Sequence, residues 1–189
     1  MDYNALIQKV ILPYELQTES WILLLYDLKS LNTLIQNRDI KLKGFADRID
    51  RFYNRIIINN YKTGSTAKIP SMKKISELDM KNPDRGTIKN AFSSIQLPMY
   101  VYLYNQMHPL YDFESIDAQL IMLREKDMKR KIVRLFNNQT VDRMKFMEER
   151  FIPVLHFLIN EILNKDIDFV PDHSDSRYCD YCPYKGLCR

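Results

Sequence analysis

Hydrophobic positions recur along this chain with more than one period, and the changes of period divide it into elements. Within residues 1–39, Trp21, Leu24, Leu25, Leu28 and Leu31 fall at the spacing of one buried helix face. That spacing predicts a long leading helix, separated from a shorter one by Pro13. From residue 40 the period shortens. Ile40, Leu42 and the string Gly44-Phe45-Ala46-Asp47-Arg48-Ile49-Asp50 come close to alternation and predict a strand over 40–52. Tyr53-Asn54 suits a hairpin turn, and the β-branched run that starts at Arg55-Ile56-Ile57-Ile58 predicts a second strand, buried on both sides. It ends at Tyr61-Lys62-Thr63-Gly64-Ser65. Residues 65–90 are polar, carry Pro70, Pro83 and Gly86, and read as a loop holding one short helix. A helix with an aromatic face is predicted over 91–106, a strand over 116–123, and a long amphipathic helix over 140–163, kinked or restarted at Pro153. The order is helix, two or three strands, helix, strand, helix. It predicts an α/β fold in which a central mixed β-sheet is flanked by helices.

Composition narrows the class without naming a function. The 189 residues suit one domain, read as leading helices (1–39), a core (40–165) and a cysteine-bearing C-terminal tail (166–189). The apolar run from Trp21 to Tyr26 is too short to cross a bilayer. Met1-Asp2-Tyr3-Asn4 carries an acid and no basic n-region, so neither a secretory leader nor a membrane partner is expected, and a cytoplasmic location is. A net charge of +4 favours nucleic acid only slightly over other partners. The three cysteines, Cys179, Cys182 and Cys188, all lie in the tail. A disulfide scaffold spreads its cysteines through a chain, so this clustering points to a metal or a cluster.

The hairpin carries the chemistry of most interest. Asp47 stands on its first strand, while Asn60 and Lys62 stand near the end of the second and share a strand face. Hard oxygen ligands can hold Mg²⁺, and a nearby lysine can orient water and offset charge developing on a phosphate. A solvated strand acid and a solvated hairpin lysine explain the same residues. The longer strings weigh towards chemistry. Gly44-Phe45-Ala46-Asp47-Arg48-Ile49-Asp50, followed by Ile58-Asn59-Asn60-Tyr61-Lys62-Thr63-Gly64, resembles the paired motifs of RecB/AddB-type nucleases of the PD-(D/E)XK superfamily. Gln96-Leu97-Pro98-Met99-Tyr100 resembles that family's third motif, a glutamine and a tyrosine one helical turn apart.

The resemblance implies a restriction-endonuclease-like core and a Mg²⁺- or Mn²⁺-dependent nuclease acting on DNA in end processing, repair or recombination, beside a helicase-like region or subunit. It implies Asp47 and residue 60 as metal ligands, with help from the Tyr61 carbonyl, Lys62 as the catalytic lysine, and Gln96 and Tyr100 facing the active site or the DNA. The family places aspartate where Asn60 stands, and an amide oxygen brings no negative charge. The family's histidine before the first strand is also missing, since His108, His156 and His173 all follow the motifs. Glu15, Glu19, and Asp50 (read as sharing the strand face of Asp47) are the candidate substitute acids. Cys179-Asp180-Tyr181-Cys182, closing with Cys188, resembles the cysteine triplet that holds a 4Fe–4S cluster with one distant upstream cysteine. That fourth cysteine is not in this sequence, which is the expectation for a fragment of a larger protein. A zinc site completed by His173, or plain thiols, fits the same residues.

Lys41, Lys43, Arg48, Arg51, Arg55, Lys68, Lys73 and Lys74 are candidate phosphate contacts, and Tyr53, Tyr61 and Tyr100 candidate stacking platforms for unpaired bases. Two other functions stay open: a nuclease-like DNA-binding or scaffolding domain without catalysis, and a zinc-stabilised protein-interaction domain.

Overall fold

The computed structural model describes residues 17–28, 40–64, 66–123, 131–136, 141–168 and 179–186. Five strands form one mixed sheet in the order of the chain: β1 Gln17–Leu28, β2 Ile40–Phe52, β3 Arg55–Lys62, β4 Ile116–Met122 and β5 Lys131–Arg134. Pairing is antiparallel except between β3 and β4, which run parallel. A parallel pair needs a long crossover. Here it contains α1 Met72–Ser76, α2 Arg85–Phe92 and α3 Gln96–Met107.

The first strand corrects the sequence reading. Residues 17–28, expected as helix, pair with β2 from Gln17–Arg51 through Leu28–Ile40. A continuous apolar run such as Trp21–Tyr26 satisfies a helical face and a buried strand equally, and the long β2 edge decides between them. Glu19 therefore stands opposite Ile49 in a strand, not on a leading helix. Glu15 lies outside the described residues.

The β2–β3 hairpin has the expected bounds. Its turn places Tyr53 at φ 51°, in the left-handed region. Alternation along β2 is interrupted, however. Ala46 and Ile49, three residues apart, are both buried in one core. A Cβ on Gly44 would meet Tyr100 and Leu103 of α3, yet Arg51, seven residues on, also reaches α3 at the Tyr104 hydroxyl (3.5 Å). Strict alternation would place such pairs on opposite faces. The shift falls around Asp47.

Proline explains two further departures. The helix expected over 91–106 is two helices, because a proline ring clashes with the carbonyl four residues back and donates no hydrogen bond to it. Pro98 therefore cannot share a continuous helix with Ser94. The chain instead breaks at Ser93 (φ 53°) and restarts so that Pro98 falls in the first turn of α3, where N–H groups lack helical partners anyway. Further on, α4 Arg143–Phe146 passes through a π-helical turn, Met147–Phe151, into α5 Ile152–Leu163. That widened turn lies where Pro153 removes a donor. Residues 65–90 hold α1 and the start of α2, capped by Ser71 and Asp84. β5 was not expected from its short, charged sequence.

The core lies between the sheet and the helices. Ile56 and Ile58 of β3, with Ile116, Ala118 and Leu120 of β4, share one buried cluster with Leu97, Val101 and Leu103 of α3 and with Phe92, Phe146 and Phe151. Among the described residues, no helix is long and apolar enough to cross a membrane.

Candidate active site

Asp47 sits where the ladder changes. Arg48–Asn59 is the last pair in the β2–β3 register before it, and one further step brings Asp47 opposite Asn60. Its carboxylate turns towards β3, where Oδ2 accepts the backbone N–H of Tyr61 at 2.7 Å. A side chain thus takes a hydrogen bond that a strand backbone would ordinarily receive.

Asn60 comes next along the seam. It is 7% exposed, and its Nδ2 donates to the Tyr100 hydroxyl at 3.4 Å. Gln96, one turn earlier on α3, donates its Nε2 to the same hydroxyl at 2.8 Å. The Asn60 Oδ1 is buried and receives no hydrogen bond. Tyr100 is itself 6% exposed. Burial pushes its phenol pKa up, the Gln96 bond opposes this, and the nearby Asp47 charge adds to the rise. The five motif residues Asp47, Asn60, Tyr61, Gln96 and Tyr100 thus meet at one seam between β2, β3 and α3. Lys62 follows two residues after Asn60 on β3 and is half-buried. Tyr100, enclosed in this way, does not offer a ring face to a base, contrary to the stacking role considered from sequence. Tyr53 is 62% exposed at the hairpin turn, with its ring edge-on to Phe52.

The donor set suits a hard divalent cation. Asp47 offers a carboxylate and Asn60 a buried carbonyl oxygen without a partner, an arrangement that costs about 1–3 kcal/mol until something positive satisfies it. The set is thin in charge. Among the described residues, no group of three His, Cys, Asp or Glu side chains gathers around a metal-sized site.

Asp50 is not a substitute ligand. Three residues from Asp47, it turns to the other side of the sheet, where its Oδ2 accepts from Arg48 Nη2 (2.9 Å) and Asn59 Nδ2 (3.0 Å). Sequence reasoning missed the network this opens. Asn59, fully buried, accepts from Gln119 Nε2 at 2.7 Å, and Gln119 Oε1 accepts from Arg134 Nε at 3.2 Å. The available signal was three uncharged amides, Asn59, Asn60 and Gln119, inside largely apolar strands, where they have to be paired. Two basic residues proposed for phosphate are also engaged. Arg48 lies over the Tyr61 ring, and Arg51 over that of Tyr111. Lys43, Arg55, Lys68, Lys73 and Lys74 are exposed, whereas the Lys41 side chain lies outside the described residues. In the tail, Cys182 donates its backbone N–H to the Cys179 carbonyl at 3.3 Å, which makes a turn. Cys188 and His173 lie outside the described residues.

The motif geometry meets a family description at this point: that of the PD-(D/E)XK nuclease superfamily matches residues 5–189. The chain belongs to the PD-(D/E)XK nuclease superfamily. Nucleases of this superfamily generally use divalent metals, and the mixed α/β sheet is consistent with its restriction-endonuclease-like core. Comparison with curated proteins gives no match. Among solved structures, the chain is similar to the protein SSO0001, with 17% identity and a TM-score of 0.41, over 90% of this chain and 59% of that one. It spans 59% of that protein's length.

Proposed function

We propose that this PD-(D/E)XK domain is a Mg²⁺- or Mn²⁺-dependent DNA nuclease of RecB/AddB type, acting in DNA end processing, repair or recombination, with turnover attenuated by Asn60. The observation that carries it is the seam itself, where the Asp47 carboxylate accepts the Tyr61 N–H and the preceding residue on β3, Asn60, buries an Oδ1 that accepts no hydrogen bond. Asp47, Asn60 Oδ1 and the Tyr61 carbonyl would hold the metal. When bound, the ion would polarise the scissile phosphate and ease deprotonation of the attacking water. Lys62, on the same β3 face as Asn60, would orient that water and offset charge on the phosphate oxygens. The exposed lysines near the hairpin would hold the backbone electrostatically, without sequence preference. The motif resemblance further supports a helicase-like partner region, a cytoplasmic setting, and a 4Fe–4S role for Cys179, Cys182 and Cys188 with a fourth ligand from outside this chain.

The test is cleavage of linear single- and double-stranded DNA with Mg²⁺ or Mn²⁺. Asn60→Asp adds the charge a hard cation prefers and should raise the rate at least about tenfold. Lys62→Ala should lower it by about a hundredfold or more. No cutting by any variant, together with no metal binding, overturns the assignment.

The neutral amide at 60 favours a second reading, a domain that keeps the fold and DNA affinity without catalysis. Salt-dependent DNA binding, with metal bound and no turnover even in Asn60→Asp, selects it.

A further inference from the structure

An asparagine ligand has a requirement that an aspartate does not. A carboxylate presents an oxygen whichever way it is turned, whereas an amide presents oxygen in one orientation and a repelling N–H₂ in the other. We propose that Tyr100, fixed by Gln96, is a positioning residue that turns the Asn60 amide so that its oxygen faces the metal pocket. This deepens the metal-dependent reading and rests on it.

Three observations support the assignment. Gln96 Nε2 donates to the Tyr100 oxygen at 2.8 Å and sets where that oxygen lies. Asn60 Nδ2 donates to the same oxygen at 3.4 Å, so the nitrogen edge of the amide is held against α3. The Oδ1 is then the edge left over, buried and without a partner. Gln96 fixes the phenol oxygen, and the 3.4 Å contact sets the Asn60 nitrogen, not its oxygen, against it. The ring has little room to swing away. An added Cβ at Gly44 would lie 3.0 Å from Tyr100 Cε1, so the strand already lies close against it. The neutral residue is therefore presented as a carbonyl ligand, and its orientation is supplied by a helix residue forty positions away.

The experiment measures Mn²⁺ affinity by electron paramagnetic resonance in four proteins: the wild-type chain, Tyr100→Phe, Asn60→Asp and the double variant. Tyr100→Phe should weaken binding about fivefold or more in the Asn60 background, the worth of one orienting hydrogen bond. In the Asn60→Asp background the same change should cost less than about twofold, since either carboxylate oxygen serves. Equal losses in both backgrounds would make Tyr100 a packing residue and overturn the inference. So would an unchanged affinity in Tyr100→Phe, or Mn²⁺ binding by Asn60→Asp alone. Absence of binding in both the wild type and Asn60→Asp would overturn the metal-dependent reading itself, and the inference with it.

Discussion

Gly44→Ala is the smallest perturbation that tests how β2 supports the seam. A Cβ built there lies 3.0 Å from Tyr100 Cε1 and 3.2 Å from both Tyr100 Cδ1 and Leu103 Cδ1. Carbon atoms settle about 3.5–4.0 Å apart, so the ring or the helix has to retreat by roughly half an ångström. The ring is poorly placed to do so. It is 6% exposed and anchored at its hydroxyl by Gln96 and Asn60, and Leu103 is fully buried. Forcing one extra carbon into such a site costs about 1–3 kcal/mol. Replacing glycine narrows the unfolded ensemble and returns about 0.4–1 kcal/mol. The net expectation is a loss of about 1–2 kcal/mol, or roughly 2–8 °C in Tm for a chain of this size. Urea unfolding measures it, with Gly64→Ala as the control. No atom lies within 4 Å of a Cβ at Gly64, so that change should be neutral or slightly stabilising. Unchanged or higher stability in Gly44→Ala would refute the close packing of α3 on β2 and, with it, the restraint on Tyr100.

Asn59→Asp should destabilise the fold by about 3 kcal/mol at neutral pH, because its Nδ2 lies 3.0 Å from Asp50 Oδ2 and a second carboxylate there faces the first. The facing acids share a raised pKa, so the loss should shrink as pH falls, and urea midpoints that stay parallel to wild type down to about pH 4 would contradict the contact. His156 has its pKa lowered by burial from 6.5. The folded state resists protonation, so this residue's contribution is intact above 6.5 and declines as pH drops below that value towards the depressed one. Asn or Gln at 156 should remove that part of the acid-side slope in denaturation curves, and an identical slope would show the imidazole is solvated.

The hairpin was legible because its signals are local. Alternation from Ile40, a two-residue turn and the β-branched run after Arg55 bound β2 and β3 without reference to the rest of the chain. β1 was not, because Trp21–Tyr26 fits a helix or a buried strand and only pairing along eleven positions of β2 selects the strand. The division between α2 and α3 was legible in principle, since Pro98 forbids a continuous helix through Ser94. Asp50 was assigned the wrong face because it was counted as two residues from Asp47; it is three away, and plain alternation already sends residues three apart to opposite faces of β2. Tyr100 had the right spacing from Gln96, but spacing on a helix does not say whether the pair faces DNA or the sheet. The Cβ-free position at Gly44, on another element, is what brings the ring inward.

Asn59 and Asn60 show why residue type alone could not assign the site. They are adjacent, buried and identical, yet alternation sends them to opposite faces of β3. Asn59 is saturated: its oxygen accepts from Gln119 and its nitrogen donates to Asp50 and to the Ile57 carbonyl. Asn60 leaves an oxygen empty in the interior, and the fold forgoes about 1–3 kcal/mol that an apolar side chain or a second donor would recover. A chain able to satisfy one asparagine fully and not its neighbour distinguishes the two by surroundings, and the surroundings of Asn60 are a carboxylate and a backbone that can accept positive charge. If this oxygen binds a cation, metal should stabilise this chain against unfolding with the logarithm of its concentration above Kd, and Asn60→Leu should abolish the metal effect while raising stability in metal-free buffer. Both shifts in one variant would separate a ligand from a packing residue, because a packing residue replaced by leucine has no reason to lose the response to metal.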